Sequence, residues 1–195
     1  MPKRKAEQTI AKLVGECVDG VIRDLGFQAR KLESEAVRSP DQKALAVRIR
    51  FGNDEVQGGV TLQATHVMFQ RLFPRDPQAV VVGAGTLDLS DWAREVANLI
   101  VGRFRNRASQ YGLLVAISCP ENVSLDQLVE TTSGTASRIP LVFAIAAAAS
   151  AETCDESDQR LDAWLELSVA DGVSLSESPV QSQDDALFEG DTIIF

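Results

Sequence analysis

The apolar pattern of this chain changes from a helical period to a strand period and never settles into a repeating strand–helix–strand unit. Ile10, Leu13, Val14, Cys17, Val18, Val21, Ile22 and Leu25 recur at steps of three and four, which predicts an amphipathic helix closed by Gly26. Leu45, Val47, Ile49 and Phe51 then alternate with Ala46, Arg48 and Arg50, and Val60, Leu62 and Ala64 alternate again after the turn Gly52-Asn53-Asp54. Together these read as a β-hairpin of half-buried strands. Thr65 is placed to cap a short helix through Phe73, ended by Pro74. A second long helix is expected from Asp91 to about Tyr111, opened by the capping arrangement Asp88-Leu89-Ser90-Asp91. Leu113 to Ser118 reads as a buried strand ended by Pro120, and residues 130–137 as a loop. Leu141, Phe143 and Ile145 mark another strand, followed by a polar turn from Glu152 to Gln159. Leu161, Ala163, Leu165, Leu167 and Val169 alternate with Asp162, Trp164, Glu166 and Ser168 in a last strand. The class that follows is α/β of the α+β kind: a mostly antiparallel sheet packed with two long helices.

At 195 residues the chain has room for one domain of ordinary size and a tail. The expected division is a domain over 1–172 and an acidic linker and C-terminal peptide over 173–195. The net charge of -9 is unevenly spread. No Lys or Arg follows Arg160, while Asp162, Glu166, Asp171, Glu177, Asp184, Asp185, Glu189 and Asp191 do; the other 20 acidic residues nearly balance all 19 basic ones. That end would repel a phosphate backbone, and no Lys/Arg stripe with interleaved aromatics offsets it, so no nucleic-acid partner is expected. No apolar run approaches the ~20 residues of a membrane span. Met1-Pro2-Lys3-Arg4-Lys5 leads into an amphipathic segment rather than a signal-peptide core. Cys17, Cys119 and Cys154 form no CxxC. The expectation is a cytoplasmic, reducing setting with no membrane contact.

Most chemical signatures fail on inspection. Val80-Val81-Val82-Gly83-Ala84-Gly85 invites a dinucleotide reading, but Asp88 stands where the third glycine belongs, facing a pyrophosphate with like charge; a loop is the better reading. His66, the single histidine, has no Cys/His neighbour at metal-ligand spacing. Asp155, Glu156 and Asp158 sit beside Ser and Gln in a solvated turn.

The second long helix is more specific. At ~100° per residue, Trp92, Val96, Leu99, Ile100 and Phe104 gather on one side with Ala93 and Ala97. Arg94, Glu95, Asn98, Gly102 and Arg105 fall on the other. Glu95 and Asn98 are thus neighbours on an exposed face, with Gly102 one turn beyond. A mid-helix glycine costs about 1 kcal/mol against alanine and lets another surface come close. On spacing alone, Glu95 and Asn98 are ordinary solvated residues.

The run Asp91-Trp92-Ala93-Arg94-Glu95-Val96-Ala97-Asn98-Leu99-Ile100-Val101-Gly102 resembles the signature helix of the CheC/CheX/FliY chemotaxis phosphatases: an acid or Ser, three residues, Glu, two residues, Asn, and a Gly four on. Leu113-Leu114-Val115-Ala116-Ile117-Ser118-Cys119-Pro120 resembles the strand and proline that follow it in CheX, and the likeness extends over roughly residues 6–170. The resemblance implies a CheC/CheX-like fold and a phosphatase that hydrolyses the aspartyl phosphate of a CheY-like receiver. It implies that Asn98 orients the attacking water and Glu95 pairs with the receiver's active-site lysine. Asp91, Arg94 and Gly102 would line the contact. The receiver supplies Mg²⁺, and the chain needs no cofactor of its own.

CheC-type chains carry two such helices; here the first helix offers only Glu16 and Asp19 at that spacing, with no Asn. The resemblance is therefore to the CheX branch, which implies a homodimer with one site per subunit. Arg94 stands where the family commonly has a small residue, and 75–87 fits its pattern poorly; a non-catalytic receiver-binding adaptor or flagellar-switch-associated module of the same fold is the alternative. The end of the chain, Ser182-Gln183-Asp184-Asp185-Ala186-Leu187-Phe188-Glu189-Gly190-Asp191, resembles with a two-residue gap the receiver-binding peptide of the flagellar switch protein FliM. By that resemblance Asp185, Leu187 and Phe188 are further partner-binding residues, against a plain reading of a disordered acidic tail.

Overall fold

The computed structural model describes residues 2–32, 44–73, 88–124, 137–147 and 159–175. The readings made for the Val80–Gly85 run, the acidic turn, Cys154, and Asp185, Leu187 and Phe188 of the tail lie outside the described residues.

Helix α1 runs Pro2–Asp24 and strand β1 Phe27–Leu32; Gly26 makes the corner between them at φ 86°, a conformation that glycine alone adopts without cost. The hairpin follows as β2, Ala44–Gly52, and β3, Val56–Thr65. Asn53 builds its turn: Oδ1 accepts from the backbone N–H of Glu55 and Val56, at 2.9 and 2.8 Å. Helix α2, His66–Arg71, is capped by the Thr65 hydroxyl, which accepts from the Met68 N–H at 3.1 Å. Helix α3 spans Leu89–Ser109. Short strands β4, Ala116–Ile117, and β5, Glu121–Asn122, precede the long β6, Ser137–Ala147, and β7, Arg160–Val169.

The described strands form one sheet in the order β1-β6-β7-β3-β2-β4, with β5 also on β2, and every pairing is antiparallel. The expectation of an α+β class, a mostly antiparallel sheet packed with two long helices, is met. Helices α1 and α3 lie side by side on one face, α1 over β1, β6 and β7 and α3 over β2 and β3. Val47, Ile49, Phe51, Val60, Leu62, Phe143, Leu161, Leu165 and Leu167 meet them there in one buried core.

Three local expectations change, and one strand is additional: β1, which the apolar pattern does not mark because Gln28, Arg30 and Lys31 are exposed on a sheet edge. Ser137, read as loop, begins β6. The segment from Leu113 to Ser118 is not a buried strand: only Ala116 and Ile117 pair with β2, and Leu114 is 72% exposed. Its position is held instead by the Leu114 carbonyl, which accepts from Asn53 Nδ2 at 2.8 Å. Last, the face of the sheet turned away from the helices is not open to water as half-buried strands would have it. Arg48, Thr61, Gln63, Arg160 and Asp162 are buried there. Arg48 reaches Thr61 Oγ1 at 3.2 Å and Glu166 at 3.4 Å, Arg160 Nε donates to Asp162 Oδ1 at 2.7 Å, and Arg138 stacks 4.5 Å from the Trp164 ring centroid. Pairing with an opposite charge, along β7 for Arg160 and Asp162 and across β3 for Arg48 and Glu166, lets these polar side chains stay buried.

Candidate functional site

Helix α3 begins where Asp88 caps it, its carboxylate accepting from the Ser90 N–H at 2.9 Å. Its inner side is fixed at three levels. Trp92, near the start, meets Phe73 edge-on with centroids 5.2 Å apart. Phe104 packs on Phe51 of β2 at 4.8 Å, inside a buried row of Ala93, Val96, Ala97, Ile100, Val101 and Ala108. Toward its end, Arg103 pairs with Asp24 and Arg107 with Glu16 of α1, the latter at 2.7 Å. Arg103 reaches across Gly20, where a Cβ would strike its guanidinium. Glu16 and Asp19 of α1 are accounted for locally, Asp19 by Arg23, and α1 acts as a core helix.

With the inner side so occupied, the outer face of α3 carries Asp91, Glu95, Asn98, Gly102 and Arg105 within an arc of about 80°. Glu95 and Asn98 are both exposed, one turn apart, and neither side chain has a hydrogen-bond or ion-pair partner among the described residues. A Cβ built on Gly102 meets nothing within 4 Å. So the sequence-derived group is brought together: carboxylate, amide and bare backbone stand in line, facing outward. Asp91 and Arg94 flank this line and are paired with each other at i,i+3.

One residue was placed on the wrong side. Leu99, read as core, is 42% exposed. It lies at the border of the two faces, about 40° from Glu95 around the axis, so a wheel alone does not decide it. It adds an apolar contact beside the polar line. Arg105 is likewise exposed; its position on the outer face was legible, but nothing in the local pattern distinguished it from the other arginines.

Among the described residues no group of three or more His, Cys, Asp or Glu side chains stands together to hold a metal ion, and no helix is long and apolar enough to cross a membrane. Cys17 lies buried in α1 next to Arg107 and Arg103. Burial pushes its thiol up to about 11, the arginines pulling weakly the other way. Cys119 is exposed.

Neither the protein-family models nor the curated proteins give a match to this sequence. Solved structures do. The chain is similar to the chemotaxis protein CheX from Vibrio vulnificus, with a TM-score of 0.58 at 10% identity, over 82% of this chain and 99% of that one. A CheC-like superfamily protein from Shewanella sp. PV-4 matches with 0.57 at 9% identity, over 82% and 97%. The chain has the CheX/CheC fold. CheX from Borrelia burgdorferi, solved in complex with CheY, BeF3 and Mg²⁺, matches with 0.51 at 12% identity, over 80% and 96%. At these identities the likeness lies in the arrangement of a CheX-type sheet and its two long helices. The chemistry of the site must therefore be argued from Glu95, Asn98 and their surroundings.

Proposed function

We propose that this chain is a CheX-like phosphatase, a hydrolase of the aspartyl phosphate on a CheY-like response regulator in chemotaxis or two-component signalling. The observation that carries the reading is the pair Glu95 and Asn98, exposed one turn apart on the outer face of α3 and without a partner among the described residues, in a fold one of whose bearers was solved in complex with CheY. In the proposed reaction the Asn98 amide enters the receiver's site and orients a water in line with the leaving aspartate. The water oxygen attacks phosphorus, the bond to the aspartyl oxygen breaks, and inorganic phosphate and a free carboxylate result. An amide suits this work because it donates and accepts without adding charge beside the phosphoryl group. Glu95 pairs with the receiver's lysine and sets the register of docking. A hundredfold acceleration asks for only ~2.7 kcal/mol, within reach of positioning alone. Mg²⁺ belongs to the receiver in this scheme, the phosphatase contributing no metal. The working form is a cytoplasmic homodimer with one α3 site per subunit.

The test is the rate of phosphate loss from a phosphorylated CheY-like receiver with Mg²⁺, for this chain and for Asn98→Ala. Acceleration that vanishes in the variant supports both enzyme and residue; acceleration that survives it overturns the assignment of Asn98. One feature favours a second reading, a docking module without hydrolysis. Arg94 places a half-exposed guanidinium one turn from Asn98, on the face that must enter the receiver's site. Binding of the receiver with no gain in its dephosphorylation would establish that role.

A further inference from the structure

Helix α3 carries six charged residues: Asp91, Arg94, Glu95, Arg103, Arg105 and Arg107. Four of them are spoken for. Asp91 pairs with Arg94, Arg103 with Asp24, and Arg107 with Glu16. Glu95 and Arg105 are exposed, and neither has an ion-pair or hydrogen-bond partner among the described residues. They stand at opposite ends of the outer face, about 15 Å apart along the axis at 1.5 Å per residue. Asn98 and Gly102 lie between them, and at Gly102 nothing obstructs a surface coming against the helix backbone. An exposed arginine is ordinary in itself. Arg103 and Arg107, its nearest basic neighbours, both turn toward α1, so Arg105 alone gives the outer face a positive end.

We infer that Arg105 is a specificity-determining contact for the protein that docks on α3: it meets a carboxylate on the receiver, about two helical turns from where Asn98 enters. This rests on the receiver reading of the same site and deepens it. The outer face then reads anion, amide, bare backbone, cation, a sequence with direction. A receiver presenting a cation opposite Glu95 and a carboxylate opposite Arg105 docks one way only, because the reversed approach sets like charges against each other. Arg105 touches no reacting atom and acts through recognition. Its loss should therefore fall on binding and leave turnover intact.

The experiment is steady-state dephosphorylation of a CheY-like receiver charged with acetyl phosphate, with titration of the BeF3-activated receiver alongside. It uses the full chain and its Arg105→Lys, Arg105→Gln, Arg105→Glu and Asn98→Ala variants. Arg105→Glu should raise KM and Kd by about tenfold or more with kcat within about twofold, and the loss should shrink as salt screens the contact. Arg105→Lys should keep most of the affinity. Asn98→Ala should do the opposite, losing kcat and keeping KM. Unchanged KM and Kd in Arg105→Glu, with Asn98→Ala inactive, overturns the role of Arg105 and leaves the phosphatase standing. Absence of binding and of acceleration by the unaltered chain overturns both. Melting curves of the variants show whether each is folded.

Discussion

Phe51 of β2 and Phe104 of α3 sit with ring centroids 4.8 Å apart, tilted by 56°, and this contact fixes the rotation of the helix about its own axis. Both rings are buried. Phe104 lies opposite Glu95 and about 160° from Gly102 on the helix, with Asn98 about 120° away, so seating the ring against the sheet turns that line of residues outward. Truncation should be severe: Phe104→Ala is expected to lose about 3–5 kcal/mol, read as a lower denaturant midpoint. Gly58→Ala should lose about 1–3 kcal/mol by overpacking, since its Cβ would lie 2.7 Å from the Phe51 ring and 2.8 Å from the Glu166 carbonyl. A Gly58→Ala protein with unchanged stability would mean that the ring has room to move.

Gly102 separates stability from function. Its backbone is helical and an added methyl group meets nothing. Gly102→Ala should therefore stabilise the protein by about 0.5–1 kcal/mol, seen as a higher melting temperature. If the outer face docks a receiver closely, the same methyl should slow dephosphorylation at low receiver concentration. A more stable variant with full activity would show that docking leaves a gap over Gly102.

Glu95 and Asn98 should fail in different ways. Glu95→Ala is expected to act mainly on KM, since its proposed partner is a lysine outside the reacting bonds. Asn98→Ala should act mainly on kcat, by about 100-fold for the loss of ~2.7 kcal/mol. Both side chains are exposed and have no partner among the described residues, so neither change should alter the unfolding free energy by more than about 0.5 kcal/mol.

Cys17 predicts an alkaline limb to stability. Burial pushes its thiol up to about 11 in the fold, from an ordinary value of 9.0. The folded state then holds a proton that the unfolded state has released, so the contribution is intact below pH 9 and is lost as pH rises toward 11. Within that window each pH unit should cost up to about 1.4 kcal/mol. Denaturant midpoints from pH 8 to 11 should fall more steeply for the unaltered chain than for Cys17→Ala. Equal slopes would place the thiol near its ordinary value. In the native protein a thiol reagent should modify Cys119 well before Cys17.

The elements that carry the site were the most legible in the sequence. A capped helix from Asp88 and a hairpin at Asn53 are each determined within a few residues, and both form as read. What escaped was set at long range. Arg48 is buried because Glu166, 118 residues later in the chain, comes to lie beside it, and no local pattern announces that partner. Strand β1 owes its place to β6, not to its own alternation. At the site, the positions of Glu95 and Asn98 followed from helical spacing. The distinction of Arg105 from Arg103 and Arg107 did not, because it depends on where α1 supplies Asp24 and Glu16.

The sheet order has a consequence for synthesis. Of the described strands β1 is made first, and its sole partner in the described sheet is β6. Roughly a hundred residues separate Leu32 from Ser137, on the order of 5–20 s of translation at ~5–20 residues per second. The hairpin β2–β3 and the helix that packs on it are made within that interval. The nascent chain can thus pair β2 with β3 and seat α3 on them while β1 still waits, with α1 as its neighbour among the described elements made by then.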